Sequence, residues 1–281
     1  KFNDDIDTSV IKEDWFSACI DAHLKLGIDV VGAKVSACDP SDTGNDPCGY
    51  AARQGVIFLD VDEIEAENGN RKMDEACKRA IMFGADSFGY DADGLGATLR
   101  DNVDKCFNGK ATNIFAYKGS SGIHFPEAAF KSETAMLTNR STTLLNKDVL
   151  HNKKAQNIIS FSERVFRTYE AVVLGKYHDP TTLVSFASYD PKTNTGIKPE
   201  MLEKLKAESC KTPTKPGDTI RFYTKEEMRK GVTMPDGSRI KIPSPNLFDA
   251  AVLSFDNSSI IIDNRASQQY RPQPLQSMGR R

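Results

Sequence analysis

The chain has 281 residues, of which 39% are hydrophobic and 27% charged, with a formal net charge of −2. This length allows one large domain or two small ones with a buried core, and the composition is typical of a globular protein. No apolar run reaches the ~18 residues of a membrane helix, so we expect no membrane partner. The small net charge neither favours nor excludes nucleic acid, because binding depends on the local field.

Six cysteines occur without a CxxC pair. This spacing argues against zinc and redox motifs and favours reduced thiols in a cytoplasm. Residues 7–9 are good helix N-caps, so we predict a helix over 10–26 that ends at Gly27. Strands are predicted over 28–38, 49–54 and 56–63, and their short connections predict an antiparallel meander.

The middle of the chain alternates between helical and strand patterns. A helix is predicted over 71–83, a short strand over 87–91, a helix after it and a strand over 112–117. This alternation predicts an α/β fold with a mixed central sheet flanked by helices. The helical period is longest over 153–174. The proline-rich stretch 175–217 reads as an irregular insert with one helix near 199–209.

The last third predicts a strand over 219–223, a short basic helix over 225–230 and a hairpin over 232–242 around Pro235-Asp-Gly237. Ser244-Pro245 supplies an N-cap and a first-turn proline for a final apolar helix. Asp249 lies among the apolar residues of that helix. A partly buried acid needs a partner, so Asp249 is a candidate site residue.

Acids cluster where the first strand ends. Asp39-Pro40 terminates an apolar run, and Asp42 and Asp46 follow in a turn. Two carboxylates ~4 Å apart repel by about 1 kcal/mol in water and by several times that when partly buried. A hard cation such as Mg²⁺ or Mn²⁺ relieves this repulsion. Asp, Gly, Ser and Pro are also ordinary turn residues, so both interpretations stay open at this point.

An EF-hand loop does not fit, because the twelfth position counted from Asp39 is Tyr50 and not a glutamate. A second strand ends in an acid at Asp91. If the first and fourth strands are neighbours, a helix packed across them brings Asp249 to the same place. Three carboxylates around one or two cations are the layout that two-metal phosphodiester hydrolysis requires.

Four segments, in order, resemble the large terminase subunit of tailed bacteriophages. Asp39-Pro-Ser-Asp-Thr-Gly-Asn-Asp46 is similar to its "D-P-A-x-x-G-x-D" segment, and Asp91-Ala-Asp-Gly-Leu-Gly96 to its second acidic strand end. Asn152-Lys-Lys-Ala-Gln156 resembles its "N-x-x-A-Q" helix start. Lys225-Glu-Glu-Met-Arg-Lys-Gly231 with Ser244-Pro-Asn-Leu-Phe-Asp-Ala250 resembles its closing segment. The ordered set spans about residues 30–256.

The resemblance implies an RNase H-like fold and a Mg²⁺- or Mn²⁺-dependent endonuclease that cuts concatemeric double-stranded phage DNA with two ions. It implies Asp39, Asp91 and Asp249 as catalytic metal ligands. Asp46, Asp93 and Asn246 are candidates for supporting residues; Asp46 and Asp93 are also candidates for further ligands, and a turn and a helix cap explain these two equally well. Asn246 departs from the family, which often has Asp there.

Family members also carry a packaging ATPase, and this chain has no G-x-x-x-x-G-K-[ST] motif. The expected organisation is therefore a linker or N-terminal helix over 1–27, a nuclease domain over 28–258 and a flexible tail over 259–281. Implied partners are the portal protein, the small terminase subunit and the ATPase domain, in the host cell cytoplasm.

Basic residues near the closing segment are candidates for electrostatic contact with DNA phosphates; they are Lys225, Arg229, Lys230, Arg239 and Lys241. Two other functions stay open. One is a different RNase H-like nuclease of the resolvase or integrase type, and the other is a non-catalytic module that docks on the portal. A phosphatase-like hydrolase would need a substrate pocket that the sequence does not show.

Overall fold

The structure, a computed structural model, describes residues 9–41, 46–94, 98–132, 144–233 and 237–256. Its helices are α1 (Glu13–Cys19), α2 (Ala22–Leu26), α3 (Gly69–Phe83), α4 (Arg100–Cys106), α5 (Asn146–Val149), α6 (Lys153–Val173), α7 (Pro199–Lys211), α8 (Lys225–Lys230) and α9 (Asn246–Ser254). Its strands are β1 (Lys34–Asp39), β2 (Cys48–Gln54), β3 (Ile57–Ile64), β4 (Ser87–Asp91), β5 (Asn113–Tyr117), β6 (Ser185–Phe186), β7 (Thr214–Lys215), β8 (Arg221–Phe222), β9 (Val232–Thr233) and β10 (Arg239–Ile240).

Six strands form the central sheet in the order β5-β4-β1-β2-β3-β6. The antiparallel meander β1-β2-β3 is confirmed, and β4 lies parallel to both β1 and β5. The carboxyl ends of β1, β4 and β5 therefore lie at one edge of the sheet. Asp39 and Asp91 lie at that edge, because each is the last residue of its strand.

Successive side chains of the central strands point to opposite faces of the sheet, and each face has its own hydrophobic core. Tyr50 and Ala52 of β2 pack with α3 and α4. Ala51, between them, packs on the opposite face with Phe161 of α6 and Phe248 of α9. The sheet is thus covered by helices on both faces, and α9 lies across the strands that end in acids.

A close approach fixes where α9 begins. A Cβ atom at Gly49 of β2 would lie 2.0 Å from the backbone oxygen of Asn246, so only glycine permits this contact. The contact places the first turn of α9, and with it Asp249, over the acidic edge of the sheet. No helix in the described part of the chain is long and apolar enough to span a membrane.

Two predicted elements differ from the structure near the N-terminus. The helix predicted over 10–26 is broken between α1 and α2 at Asp21, whose φ is +53°. The Asp21 carboxylate accepts hydrogen bonds from the backbone and hydroxyl of Ser188, and this tertiary contact overrides the helical period. The first strand begins at Lys34 and not at residue 28, because Gly32 turns the chain at φ +101°.

The stretch predicted as an irregular insert over 175–217 contributes to the fold. Its residues Ser185–Phe186 form β6, which pairs with β3, and Phe186 is fully buried beside Phe58. The predicted helix there is confirmed as α7. The tail over 259–281 and the hairpin turn at 234–236 lie outside the described residues, and the domain boundaries stay predictions.

Candidate metal centre

Three carboxylates from separate elements line one small pocket. Asp39 comes from the end of β1, Asp91 from the end of β4 and Asp249 from the first turn of α9. Asp39 is only 1% exposed and Asp249 8%. The structure therefore brings together the three acids that the sequence predicts for one site.

Two lysines neutralise part of this charge. The Lys225 Nζ atom donates to Asp39 Oδ2 at 2.5 Å, and the Lys154 Nζ atom donates to Asp249 Oδ2 at 2.8 Å. Burial lowers the pKa of each lysine, but the attraction of its aspartate outweighs burial, so both pKa values are raised. Both ammonium groups therefore stay charged at neutral pH.

Burial raises the pKa of Asp39 to about 6, and the charge of Lys225 limits that rise. Burial also raises the pKa of Asp91 to about 7, with a further contribution from the negative charge of Asp39. Three carboxylates face two ammonium groups, so the fully ionised pocket carries excess negative charge. A divalent cation would remove this excess.

The donor set fits a hard cation, because every acid in the pocket offers oxygen atoms. In the part of the chain that the structure describes, no three His, Cys, Asp or Glu side chains are already arranged to hold one ion. The two lysines explain this, because each occupies an oxygen that a cation would use. Cation binding would then require these ammonium groups to give up their present positions.

Lys154 was absent from the predicted site residues. Its sequence signal is its place in the segment 152–156, at the start of the longest predicted helix. The Asn152 side chain caps α6 by accepting from the backbone of Ala155, and this cap fixes the first turn that carries Lys154. The interaction of Lys154 with Asp249 spans 95 residues of sequence, so no local pattern shows it.

The predicted supporting residues lie around the pocket. Asn246 Nδ2 donates to Asp46 Oδ1 at 3.1 Å and to the Pro47 backbone at 2.9 Å, which joins the start of α9 to the chain before β2. The backbone N–H of Asp93 donates to Asp91 Oδ1 at 2.9 Å. The Asp93 carboxylate itself accepts from Ser120. Asp46 and Asp93 thus contact neighbouring groups rather than the pocket interior.

The predicted DNA-contact residues divide into two groups. Lys225 is half-buried against Asp39, whereas Arg229, Lys230, Arg239 and Lys241 are exposed. Met228, Val232 and Ile242 form a small core that joins α8 to the hairpin β9–β10. These exposed cations therefore lie on one packed unit that begins at Lys225 beside the pocket.

Tyr117, at the end of β5, also lines the pocket, and sequence analysis did not identify it. It pairs with Asp91 in the sheet and is 5% exposed. Burial, followed by the negative charges of Asp249 and Asp91, raises the pKa of its hydroxyl well above the usual range. The hydroxyl therefore remains a hydrogen-bond donor at any pH at which the protein would work.

A mixed sheet with acids at the ends of two adjacent parallel strands, completed by an acid from a helix across them, defines an RNase H-like nuclease. Comparison with solved structures agrees. The chain is 37% identical to the nuclease domain of the large terminase subunit gp2 of bacterial virus Sf6, with a TM-score of 0.74, over 88% of this chain and 97% of that one.

The same domain, as a lysine-to-alanine mutant with manganese and beta-thujaplicinol, gives 36% identity and a TM-score of 0.75 over 88% of this chain and 97% of that one. The mutant with calcium gives 36% identity and a TM-score of 0.73, over 88% and 98% of the two chains. No protein-family profile matches the chain, and no curated protein matches it. The chain belongs to the family of nuclease domains of phage large terminase subunits.

Proposed function

We propose that this domain is a divalent-metal-dependent endodeoxyribonuclease that cuts concatemeric double-stranded DNA during phage genome packaging. The observation that carries this proposal is the convergence of Asp39, Asp91 and Asp249 in one pocket beside two lysines. The family supplies the biological setting, and the pocket supplies the chemistry.

Asp39, Asp91 and Asp249 would hold Mg²⁺ or Mn²⁺. Two ions are proposed because three carboxylates around two cations are the layout that two-metal phosphodiester hydrolysis requires. The manganese complex of the Sf6 domain supports the choice of cation. When bound, such ions lower the pKa of an attacking water and stabilise the leaving oxygen of a phosphodiester.

The residues of the chain would bind and orient the DNA. Lys225 and Lys154 offset the repulsion among the carboxylates before metal binds, and they would then face the phosphate. Arg229, Lys230, Arg239 and Lys241 lie exposed on the unit beside the pocket. Contacts of such cations with phosphates are independent of base sequence and weaken with salt.

The other partners that the family resemblance implies are also proposals. The packaging ATPase domain, the portal protein and the small terminase subunit would meet this domain in the host cell cytoplasm. The ATPase would be joined through the N-terminal segment. There α1 packs on α6, and the ring centroids of Trp15 and Phe166 lie 4.7 Å apart.

Plasmid cleavage in Mn²⁺, Mg²⁺ and EDTA tests the proposal. The wild type should nick and linearise plasmid in either metal and not in EDTA, and Asp91→Ala should abolish cleavage. Asp104→Ala is the matched control, because Asp104 is an exposed acid on α4 that pairs with Arg100. It should cleave as the wild type does.

Calorimetric titration of the same samples with Mn²⁺ separates the alternatives. A nuclease should bind Mn²⁺ in a manner that depends on Asp91. A portal-docking module would neither bind the ion at the pocket nor cut DNA, and that result would overturn the proposal.

A further inference from the structure

One hydrogen-bonding group in the pocket has no acceptor. The Tyr117 hydroxyl is buried, and within the described residues it makes no hydrogen bond. A buried hydroxyl without a partner costs free energy, so native structures nearly always satisfy it. Its position in a candidate catalytic pocket indicates that the missing acceptor belongs to a ligand.

The phenol ring has near neighbours on two sides. The Lys153 Nζ atom lies 5.0 Å from the ring centroid, and its own position is fixed by a 2.9 Å bond to buried Asp256. A Cβ atom added at Gly119 would lie 3.2 Å from Tyr117 Cε1 and 3.4 Å from the hydroxyl, so Gly119 leaves the phenol the room that it occupies. These neighbours limit how far the ring can move from the pocket that it lines.

The groups that share the pocket do not supply the acceptor. Lys154 offers only donors. Asp39, Asp91 and Asp249 also line the pocket, but none of their oxygens accepts from the Tyr117 hydroxyl. A water held by a cation directs its protons outward, so it also offers donors. A phosphate oxygen carries negative charge and free lone pairs, and DNA brings such oxygens to this site.

We propose that Tyr117 is a further catalytic residue, whose hydroxyl donates one hydrogen bond to a non-bridging oxygen of the phosphate that is cut. This inference rests on the proposed nuclease function. The fold sets the position of the ring before DNA binds, so once the ammonium groups have moved aside the hydroxyl can stabilise the added negative charge of the transition state.

Tyr117→Phe removes the hydroxyl and keeps the ring. We expect kcat for plasmid cleavage to fall by about 10- to 100-fold, somewhat less than for the strongest single donors, because the metal ions carry most of the charge. KM should stay within about threefold, since uniform binding is unchanged. The melting temperature should not fall, because the lost hydroxyl bonds to no protein group.

Tyr50→Phe is the matched control. Tyr50 is equally buried, but its hydroxyl donates to Ser36 in the core, away from the pocket. This variant should lose stability and keep kcat. If Tyr117→Phe cleaves as fast as a wild type that is itself active, the inference is wrong while the nuclease function stands. An inactive wild type would instead refute the nuclease function.

Tyrosine labelled with ¹³C at Cζ gives a readout that does not depend on turnover. The Tyr117 resonance, assigned by its loss in Tyr117→Phe, should shift when a short DNA duplex is added in Ca²⁺ buffer. This shift should add to any change that Ca²⁺ alone produces. No further shift when the duplex is added to the Ca²⁺-bound protein would overturn the assignment of a phosphate oxygen as the acceptor.

Discussion

Two adjacent lysines at the start of α6 occupy contrasting regions of the molecule. Lys153 bonds at 2.9 Å to Asp256, and both side chains are buried, at 9% and 0% exposure. Lys154 bonds at 2.8 Å to Asp249 and is 27% exposed. Asn157 completes the first pair by donating to the second oxygen of Asp256. The second pair shares its pocket with two more carboxylates.

The same chemical pair thus has two roles that depend on its neighbours. Around Asp256 the charge is balanced and its oxygens are satisfied, so exchange of partners would only cost free energy. Around Asp249 acids outnumber cations, so we expect that a divalent ion can displace an ammonium group with a net gain in free energy. Four predictions test this contrast, from the largest expected effect to the smallest.

The largest effect should follow Asp91→Asn. Loss of a metal ligand should reduce cleavage by about 1,000-fold or more, which is about 4 kcal/mol of transition-state stabilisation. The same change should raise the free energy of unfolding at pH 8 by about 1–2 kcal/mol, because the raised pKa of Asp91 makes its ionised form unfavourable in the fold.

That stabilisation should be largest above pH 7 and should vanish near pH 3, where the wild-type carboxyl is protonated in the folded and unfolded states alike. Urea denaturation at both pH values measures it. Equal stability of the two proteins at pH 8 would show that the pocket does not strain the fold.

Lys153→Met and Lys154→Met each remove the lysine of one ion pair, so they test the contrast between the two pairs directly. Lys153→Met leaves Asp256 charged and unpaired in the core, so it should lower the free energy of unfolding by about 3–5 kcal/mol. Lys154→Met should lower it by about 1 kcal/mol or less, because its pair lies at a pocket that reaches solvent and Lys225 is near. Denaturant titration of the two variants side by side measures both values.

Plasmid cleavage by the same two variants completes the test. Per folded molecule, Lys154→Met should cleave more slowly than Lys153→Met. Equal destabilisation by the two changes would contradict the division of the two pairs into a structural one and a functional one.

The affinity of the pocket for a metal ion should rise with pH between about 6 and 7, where Asp39 and Asp91 lose their protons. The ligands must be ionised to bind the cation, and the pKa is about 6 for Asp39 and about 7 for Asp91. Protons therefore compete with metal below pH 7. Calorimetric Mn²⁺ titration should show affinity about tenfold weaker at pH 6 than at pH 7.5. A flat profile would place the ion elsewhere.

The smallest effect should follow Glu208→Gln. Glu208 Oε2 accepts from the backbone of Phe248 at the start of α9, and burial raises the pKa of this carboxyl to about 8. A neutral amide keeps the acceptor and removes the cost of a carboxyl that is ionised in the unfolded chain but must be protonated in the fold, so the variant should be more stable at pH 7 by about 1 kcal/mol or less. This gain should be absent near pH 3, begin above pH 4 and level off above pH 8. Cleavage should be unchanged.

Much of the sheet could be predicted because its signals are local. Pro40 marks the end of β1, and short turns mark the meander. The strand β6 could not be predicted, because two residues are too few to show alternation and its partner β3 is more than 100 residues away. The break at Asp21 also depends on a distant partner, Ser188.

The residues of the site also divide into those with a local sequence signal and those that depend on distant partners. Asp39, Asp91 and Asp249 were predictable because an acid is unusual at the end of a buried strand or among apolar helix positions. Lys154 and Tyr117 were not, since each is ordinary where it stands in the sequence and gains meaning only from the residues that the fold brings beside it. Their roles in catalysis stay predictions.

The helix α6 has one more consequence. Its 21 residues make a rod about 30 Å long at ~1.5 Å per residue, with Lys153 and Lys154 at one end. Trp15 of α1 packs on Phe166 and Tyr169 farther along the same rod. A mechanical load applied to the N-terminal segment would therefore be transmitted along a single stiff helix to its other end, where Lys154 meets the candidate metal pocket.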